Sequence, residues 1–218
     1  DALQRDELSG RAIALLPLLE RLAAPGMEAE RDMLRAWDRR MSADSPAAAL
    51  YAFWTAALQA PVRALLVPEG ARDLITAIHP HVLIEALHHP DARFGATPEA
   101  TRDALLLSAL RSAIAALHAA RGANVAGWAW GEVHALNLHH ALDALLPAAP
   151  ASRVSGPPSG GDGSTVNARW WASIARPQAS GGALFRAVVD VGDWDASRAI
   201  NAPGQSGIPG DPHYADLA

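Results

Sequence analysis

Apolar residues from Ala2 to about Gly122 recur at steps of three and four, and beyond Gly122 that period gives way to alternation punctuated by Gly and Pro. A period near 3.6 buries one stripe of a helix, whereas a period of two buries one face of a strand. The chain is therefore predicted to be α+β, with a helical region over 1–122 followed by a strand-rich region with Gly/Pro loops over 123–218. Leu8, Ala12, Leu15, Leu19 and Leu22 form the first stripe, which Pro25 and Gly26 are expected to end. Met33 or Leu34, Trp37 and Met41 form a second stripe. Leu50, Trp54, Leu58 and Leu65 form a third, with Pro61 expected to kink or divide it. The fourth is the clearest. Thr97 is a capping residue, Pro98 suits the first helical position, Glu99 complements the helix dipole, and Gly122 closes the stripe of Leu106, Leu110, Ala113 and Leu117.

Past Gly122, His134, Leu136, Leu138, His140 and Leu142 alternate with Val133, Ala135 and Asn137, which predicts a strand with both His on one face. A linker of Pro, Ala, Ser and Gly from about Pro147 to Gly161 is too poor in bulky apolar groups to pack. Strands are expected at Ser164 to Ala168, Trp170 to Ala175, Ala183 to Val191 and Ser197 to Ala202, and a shaped loop at GQSGIPGDP. Asp211 or Pro212 is expected to sit in the first turn of a terminal helix. An unpaired strand edge would leave backbone groups for a partner to satisfy. No internal repeat is evident.

Half of the 218 residues are apolar, so the chain has the material for a core and is not a disordered segment. Its 23 acids outnumber 18 bases, all of them Arg, for a formal charge of -5. No basic field is present for nucleic acid or an anionic membrane. There is no Cys, which excludes disulfides and thiolate chemistry without locating the protein. No apolar run approaches the roughly 20 residues of a bilayer span. The opening DALQRDELSGRA has neither the basic flank nor the apolar stretch of a signal peptide.

Five groups of residues invite a chemical reading. In GGDGSTVNA, from Gly160 to Ala168, consecutive Gly amides would suit an anion, yet the Lys of a phosphate loop is missing and a strand is expected to follow. A tight turn is the favoured reading, with Asp162 bonding its own backbone and Gly161 or Gly163 at positive φ. Gly163–Ser164 also has the form of a self-processing bond that would expose a serine beside its own amine, a reading that is not favoured. His79, His81, Glu85, His88 and His89 suggest a metal site, but HExxH is absent and Pro80 and Pro90 interrupt the geometry, so solvated or capping roles are preferred. His134 and His140 have no companion nucleophile or orienting acid marked in the sequence. Gln205, Ser206, His213 and Tyr214 would line a pocket or lock a loop. Among the seven Trp, Trp37 and Trp54 lie in helical stripes and are expected in the core, while the adjacent Trp170 and Trp171 must point to opposite faces of a strand.

Several ordered motifs extend over nearly the whole chain: QxDxxS (Gln4, Asp6, Ser9), WDxRMxxDS (Trp37, Asp38, Arg40, Met41, Asp44, Ser45) and WGxxHxxxxxHxL (Trp130, Gly131, His134, His140, Leu142). GGDGSTVNA and then GGALFRAVVDVGDWDASRAINAPGQSGIPGDPHYADL, from Gly181 to Leu217, complete the set. In this order they resemble the C-terminal part of the large (β) subunit of penicillin acylases, N-terminal nucleophile hydrolases. Ile208 and Asp211 depart from the family's commonest His and Ser.

The resemblance implies strands completing part of an αββα sandwich, with both regions belonging to one larger catalytic domain. It also implies a parent zymogen that cleaves acyl-amide bonds of penicillin, acyl-homoserine lactones or related N-acyl substrates, with an antibiotic biosynthetic role among its associations. The parent's nucleophilic serine lies upstream of these motifs, so no catalytic residue is assigned here and the chain alone is expected to be inactive. Trp130, His134, Asp162, Asn167, Gln205, Ser206, His213 and Tyr214 are carried as substrate-pocket or structural candidates, and for His134 the family pattern favours a buried hydrogen-bonding post near Trp130. The implied partners are the small subunit, the N-terminal part of the large subunit and a small acyl-amide substrate, with no nucleic acid and no membrane. No metal or cofactor is assigned to this chain, although the parent is expected to bind calcium. A periplasmic or secreted location, with any export signal on another part, is also implied. Two other readings stay open: a noncatalytic module that pairs with another chain, and a self-contained hydrolase using His134 or His213.

Overall fold

A computed structural model describes residues 2–140, 142, 145 and 152–217. The architecture is α+β, helices first and short antiparallel strands after. The backbone gathers into two compact units: Ser9–Arg40 with Ser45–Ala129, and Asp1–Leu8 with Met41–Asp44 and Trp130–Ala218.

The first unit is helical. Helix α1 (Gly10–Glu20) starts where Ser9 Oγ accepts from Ala12 N at 3.2 Å, and it buries Ala12, Leu15, Leu16, Leu18 and Leu19. It ends before Pro25 and Gly26. Helix α2 (Glu28–Ala36) stops at Trp37, whose extended backbone breaks the predicted stripe before Met41. The cause is local. Asp38 Oδ1 accepts from Arg40 N at 2.9 Å, and Arg39 adopts a left-handed φ of 65°. Helix α3 (Pro46–Leu66), capped by Ser45 Oγ, runs through Pro61 undivided. Pro61 removes one backbone donor, but Leu58 and Val62 beside it are fully buried, and their packing holds the helix together.

A helix the sequence did not predict, α4 (Pro80–His88), uses Pro80 at its first turn and ends before Pro90, so the two prolines bound the helix. Helix α5 (Pro98–Arg121) begins and ends as expected, although the Thr97 side chain makes no capping bond. By length and composition α5 would suffice to cross a membrane. Core helices share that property. Its Leu106, Leu110, Ala113 and Leu117 are buried, and it packs on α3, where Trp54 Nε1 donates to Leu106 O at 3.0 Å.

In the second unit the predicted strand around His134 gives way to a helical turn, α6 (Trp130–Val133), with His134 N bonded to Trp130 O. Extended pairing starts only after it, with a bridge from Leu136 to Ala179 and then β1 (Asn137–Leu138), so His134 and His140 do not share a strand face. Strand β1 pairs with β2 (Val154–Ser155), which lies in the segment predicted to be an unpacked linker; Val154 is buried, while 147–151 fall outside the described residues. Ser164 to Ala168 forms turns in place of a strand.

Strand β3 (Arg169–Ser173) pairs with β4 (Arg176–Gly182), which the sequence concealed because RPQASGG has almost no apolar character. Strands β5 (Phe185–Val188) and β6 (Arg198–Asn201) form a third antiparallel pair near their predicted positions. The expected terminal helix after Asp211 is a series of turns, with Tyr214 N bonded to Asp211 O and Leu217 N to Pro203 O. Among the described residues each sheet has two strands, so each retains unpaired edges.

Candidate functional site

The segment Gly160–Asn167 is a tightly bonded turn. Asp162 Oδ1 accepts from both Ser164 N and Ser164 Oγ at 2.6 Å, and Thr165 Oγ1 accepts from Asp162 N at 3.0 Å. Gly161 takes φ +86°, and a Cβ there would collide with the Asn167 carbonyl oxygen. Ser164 is thus held as a donor to Asp162, within a local turn.

This turn is where distant motifs meet. Asn167 N donates to Asp6 O at 2.9 Å, Gly161 N to Met41 O at 2.7 Å, Met41 N to Glu7 O at 2.8 Å, and Gly131 N to Ala43 O at 2.7 Å. The buried Asn167 amide then uses both ends: Nδ2 donates to Glu7 Oε1 at 3.2 Å and Oδ1 accepts from Arg186 Nη2 at 2.6 Å. Arg186 Nη1 reaches Gln4 O at 3.3 Å, while Gln4 Nε2 donates to Ala187 O at 2.8 Å. Residues of QxDxxS, DxRM, WG and TVNA therefore belong to one backbone-centred network.

Beside it, Trp130 Nε1 donates to Gly161 O at 2.9 Å, and the His134 ring lies on the Trp130 indole at 4.2 Å between centroids, 11° from parallel. Trp171 meets both rings edge-on. His134 Nδ1 lies 3.0 Å from Pro177 O; a carbonyl can only accept, so Nδ1 carries the proton. His134 Nε2 is then a bare lone pair, buried and without a partner among the described residues. Burial holds the imidazole pKa below its ordinary value, with a bond to Pro177 O opposing and Arg169 adding to the depression. Among the described residues no hydroxyl bonds this imidazole, and its ring is fully buried.

Trp130, His134, Asp162 and Asn167 are thus brought together, whereas Gln205, Ser206, His213 and Tyr214 lie in the C-terminal loop. Tyr214 Oη donates to Ser152 O at 2.6 Å from a buried position, and Ser206 N donates to His213 O at 3.0 Å. Ser206 Oγ accepts from Ile208 N at 3.2 Å. His213 Nδ1 lies 2.8 Å from Asp216 Oδ2, largely exposed, with no hydroxyl bonded to it; Gln205 is exposed. His140 Nε2 lies 3.2 Å from Gly207 O, and its ring lies near Tyr214.

Among the described residues no three His, Asp or Glu side chains come together as a metal ion requires. In the His-rich helix, His79 Nδ1 accepts from His81 N at 3.3 Å, and His88 Nε2 lies 3.0 Å from Ala14 O. Three partners went unnoticed in the sequence: Glu7, Arg169 and Arg186. An Arg inside the apolar run FRAVV was the available signal, because a cation in a strand core needs acceptors.

The family model described as penicillin amidase matches residues 1–218. The chain is also 36% identical over 228 residues to penicillin acylase 2 proenzyme of Pseudomonas sp. (strain SE83). That alignment takes in 99% of this chain and 28% of the relative, so the chain spans less than a third of the protein it resembles. With a match over its whole length, the chain belongs to the penicillin amidase family.

Proposed function

We propose that this chain is the C-terminal scaffold of an amidohydrolase that cleaves acyl-amide bonds through an N-terminal serine carried by another stretch of the protein. The observation that carries the reading is the extent of the two matches: the whole chain fits the penicillin amidase family, yet it spans 28% of a relative named as a proenzyme. In the proposed reaction the serine's own α-amine accepts its proton, the hydroxyl attacks the amide carbonyl, the amine leaves, and water releases the acid. Backbone and Asn donors on that other stretch would hold the oxyanion; each such donor is worth about 10² to 10³ in rate.

This chain's residues hold structure. The Asn167 network fixes the GGDG turn, and Trp130, His134 and Trp171 fill the space behind it. The described strands form three two-stranded sheets with the strand residues Trp170 and Phe185 in the open, as is Trp194 between β5 and β6. Two-stranded sheets are marginal in water, which supports added strands from the rest of an αββα sandwich. The two regions would then be parts of one larger catalytic domain, and its acyl substrate would be a small N-acyl amide. A periplasmic or secreted location follows the same resemblance. Calcium, which the resemblance implies for the parent protein, belongs to the same reading.

The test compares two proteins on a panel of N-acyl amides. The processed full-length gene product should hydrolyse them with loss of activity on replacing the first residue of its large subunit, and the purified 218-residue chain should not. Turnover by the 218-residue chain alone would overturn the proposal and favour a self-contained hydrolase. A stable, monodisperse and inactive chain encoded without an upstream acylase segment would favour the pairing module, for which the open sheet edges are the supporting observation.

A further inference from the structure

The β3–β4 hairpin is fastened through β4 to the segment 134–136. His134 Nδ1 donates to Pro177 O at 3.0 Å, Ala179 N donates to Ala135 O at 3.1 Å, and Leu136 forms a bridge with Ala179. Only the first of these involves a titratable group. His134 has no exposed surface, its ring is stacked on Trp130, and Trp171 of β3 meets both rings edge-on. With the proton on Nδ1, Nε2 has no partner among the described residues.

A proton arriving at Nε2 would turn this satisfied neutral ring into a buried cation whose new N–H bonds nothing among the described residues. Such a charge is costly in a packed interior. The ring cannot turn to seek an acceptor without leaving both Trp130 and Pro177 O. Charged groups of the surrounding elements act on it in opposite directions: Arg169 of β3 disfavours the cation, Asp162 of the turn favours it, and Glu132 on its own helix is exposed. Burial is the largest influence and holds the pKa below its ordinary value. The Pro177 carbonyl opposes that, the Arg169 charge adds to it, and Asp162 and the Arg169 carbonyl, which makes no bond to Nε2 here, oppose it further. Relief comes from opening, because water then reaches the imidazole and restores its ordinary pKa of 6.5.

We propose that His134 is an acid-sensitive latch: a proton on Nε2 releases the β3–β4 hairpin from 134–136, a local opening that leaves the helical unit folded. The hairpin is the weaker body. Its own pairing shifts register between Trp170 and Trp171 and again between Trp171 and Ser173. The helical unit, by contrast, has an apolar core of its own around Trp54, Leu58, Leu106 and Leu110, all with no exposed surface. The latch uses none of the proposed catalytic groups and its test reads no turnover, so it stands or falls separately from the amidohydrolase reading.

The experiment is peptide-resolved amide hydrogen exchange on the full-length gene product between pH 7.5 and 5.5, with each rate divided by its intrinsic value at that pH. Protection over 169–182 should fall by up to about tenfold across this range, the limit for one group that titrates at its ordinary pKa only when the hairpin is open. Helix α5 should keep its protection. His134→Phe, which keeps a ring but has no nitrogen to protonate, should remove the pH dependence over 169–182. Should that variant misfold, slow exchange of the carbon-bound imidazole proton of wild-type His134, read in the same peptides, gives the midpoint of its titration, which should lie below 6.5. A midpoint at 6.5 or above, an equal loss of protection in α5, or the same pH dependence in His134→Phe would overturn the proposal.

Discussion

His134 shows how much a single tautomer decides. The bond from Nδ1 to Pro177 O fixes which nitrogen carries the proton, and burial of the ring selects the neutral form. Because burial holds its pKa below the ordinary 6.5, the unfolded chain takes up the proton first as pH falls. Its contribution to stability is complete above that value, and it is lost as pH drops from there towards the depressed folded pKa. Denaturant titrations from pH 8 to 5 should show this slope in wild type and a smaller one in His134→Phe, which keeps a ring but cannot titrate; equal slopes would refute the assignment. Gly161 is constrained as tightly. Gly161→Ala should cost about 1–2 kcal/mol for the positive φ alone, and more for the collision with Asn167 O, read as a lower denaturation midpoint. The sequence foretold the local part of this site, namely a positive φ at Gly161 or Gly163, which the structure gives to Gly161, and Asp162 bonded to its own turn. The resemblance implied a buried His134 near Trp130, but the stacking of the two rings depends on α6 forming where alternation suggested a strand.

Among the elements, α3 and α5 carry the helical unit, and Trp54 is the side chain joining them. It is fully buried and bonded to Leu106 O, so Trp54→Ala should destabilise that unit by about 3–5 kcal/mol. Trp54→Phe, which keeps most of the volume, should cost much less; similar losses for both would mean the hydrogen bond outweighs the packing. In the C-terminal loop, Tyr214→Phe removes the donor to Ser152 O and should cost about 1–3 kcal/mol, seen as faster amide exchange around 203–217. Element boundaries were legible where a proline or a glycine marks them, as Pro98 and Gly122 do, whereas the caps at Ser9 and Ser45 went unread. They were hidden where backbone pairing alone makes the element. Strand β4 has an Arg, a Pro, a Gln and two Gly among its seven residues, and only its ladder with β3 makes it a strand. Helix α4 was missed because prolines that bound a helix look the same, in sequence, as prolines that break one.

For the whole molecule, the open edges and the exposed Trp170, Phe185 and Trp194 predict that the isolated chain binds a hydrophobic dye strongly and aggregates with time. Production together with the rest of the protein should suppress both, and a dye-silent, monomeric chain would contradict that expectation. By itself the sequence determined the α+β class, the order of helices before strands, several helix ends and the family resemblance. The class, the order and the helix ends rest on periods and caps that act over a few residues, and the resemblance on motifs ordered along the chain. Only the tertiary structure decided that Gln4, Met41, Gly161 and Arg186 belong to one network, and that Asn167 bonds Glu7 from 160 positions away. The physical reason is range: a cap or an amphipathic stripe is fixed by its neighbours, whereas a hydrogen bond closing so long a loop exists only once the intervening elements have packed and fixed its register.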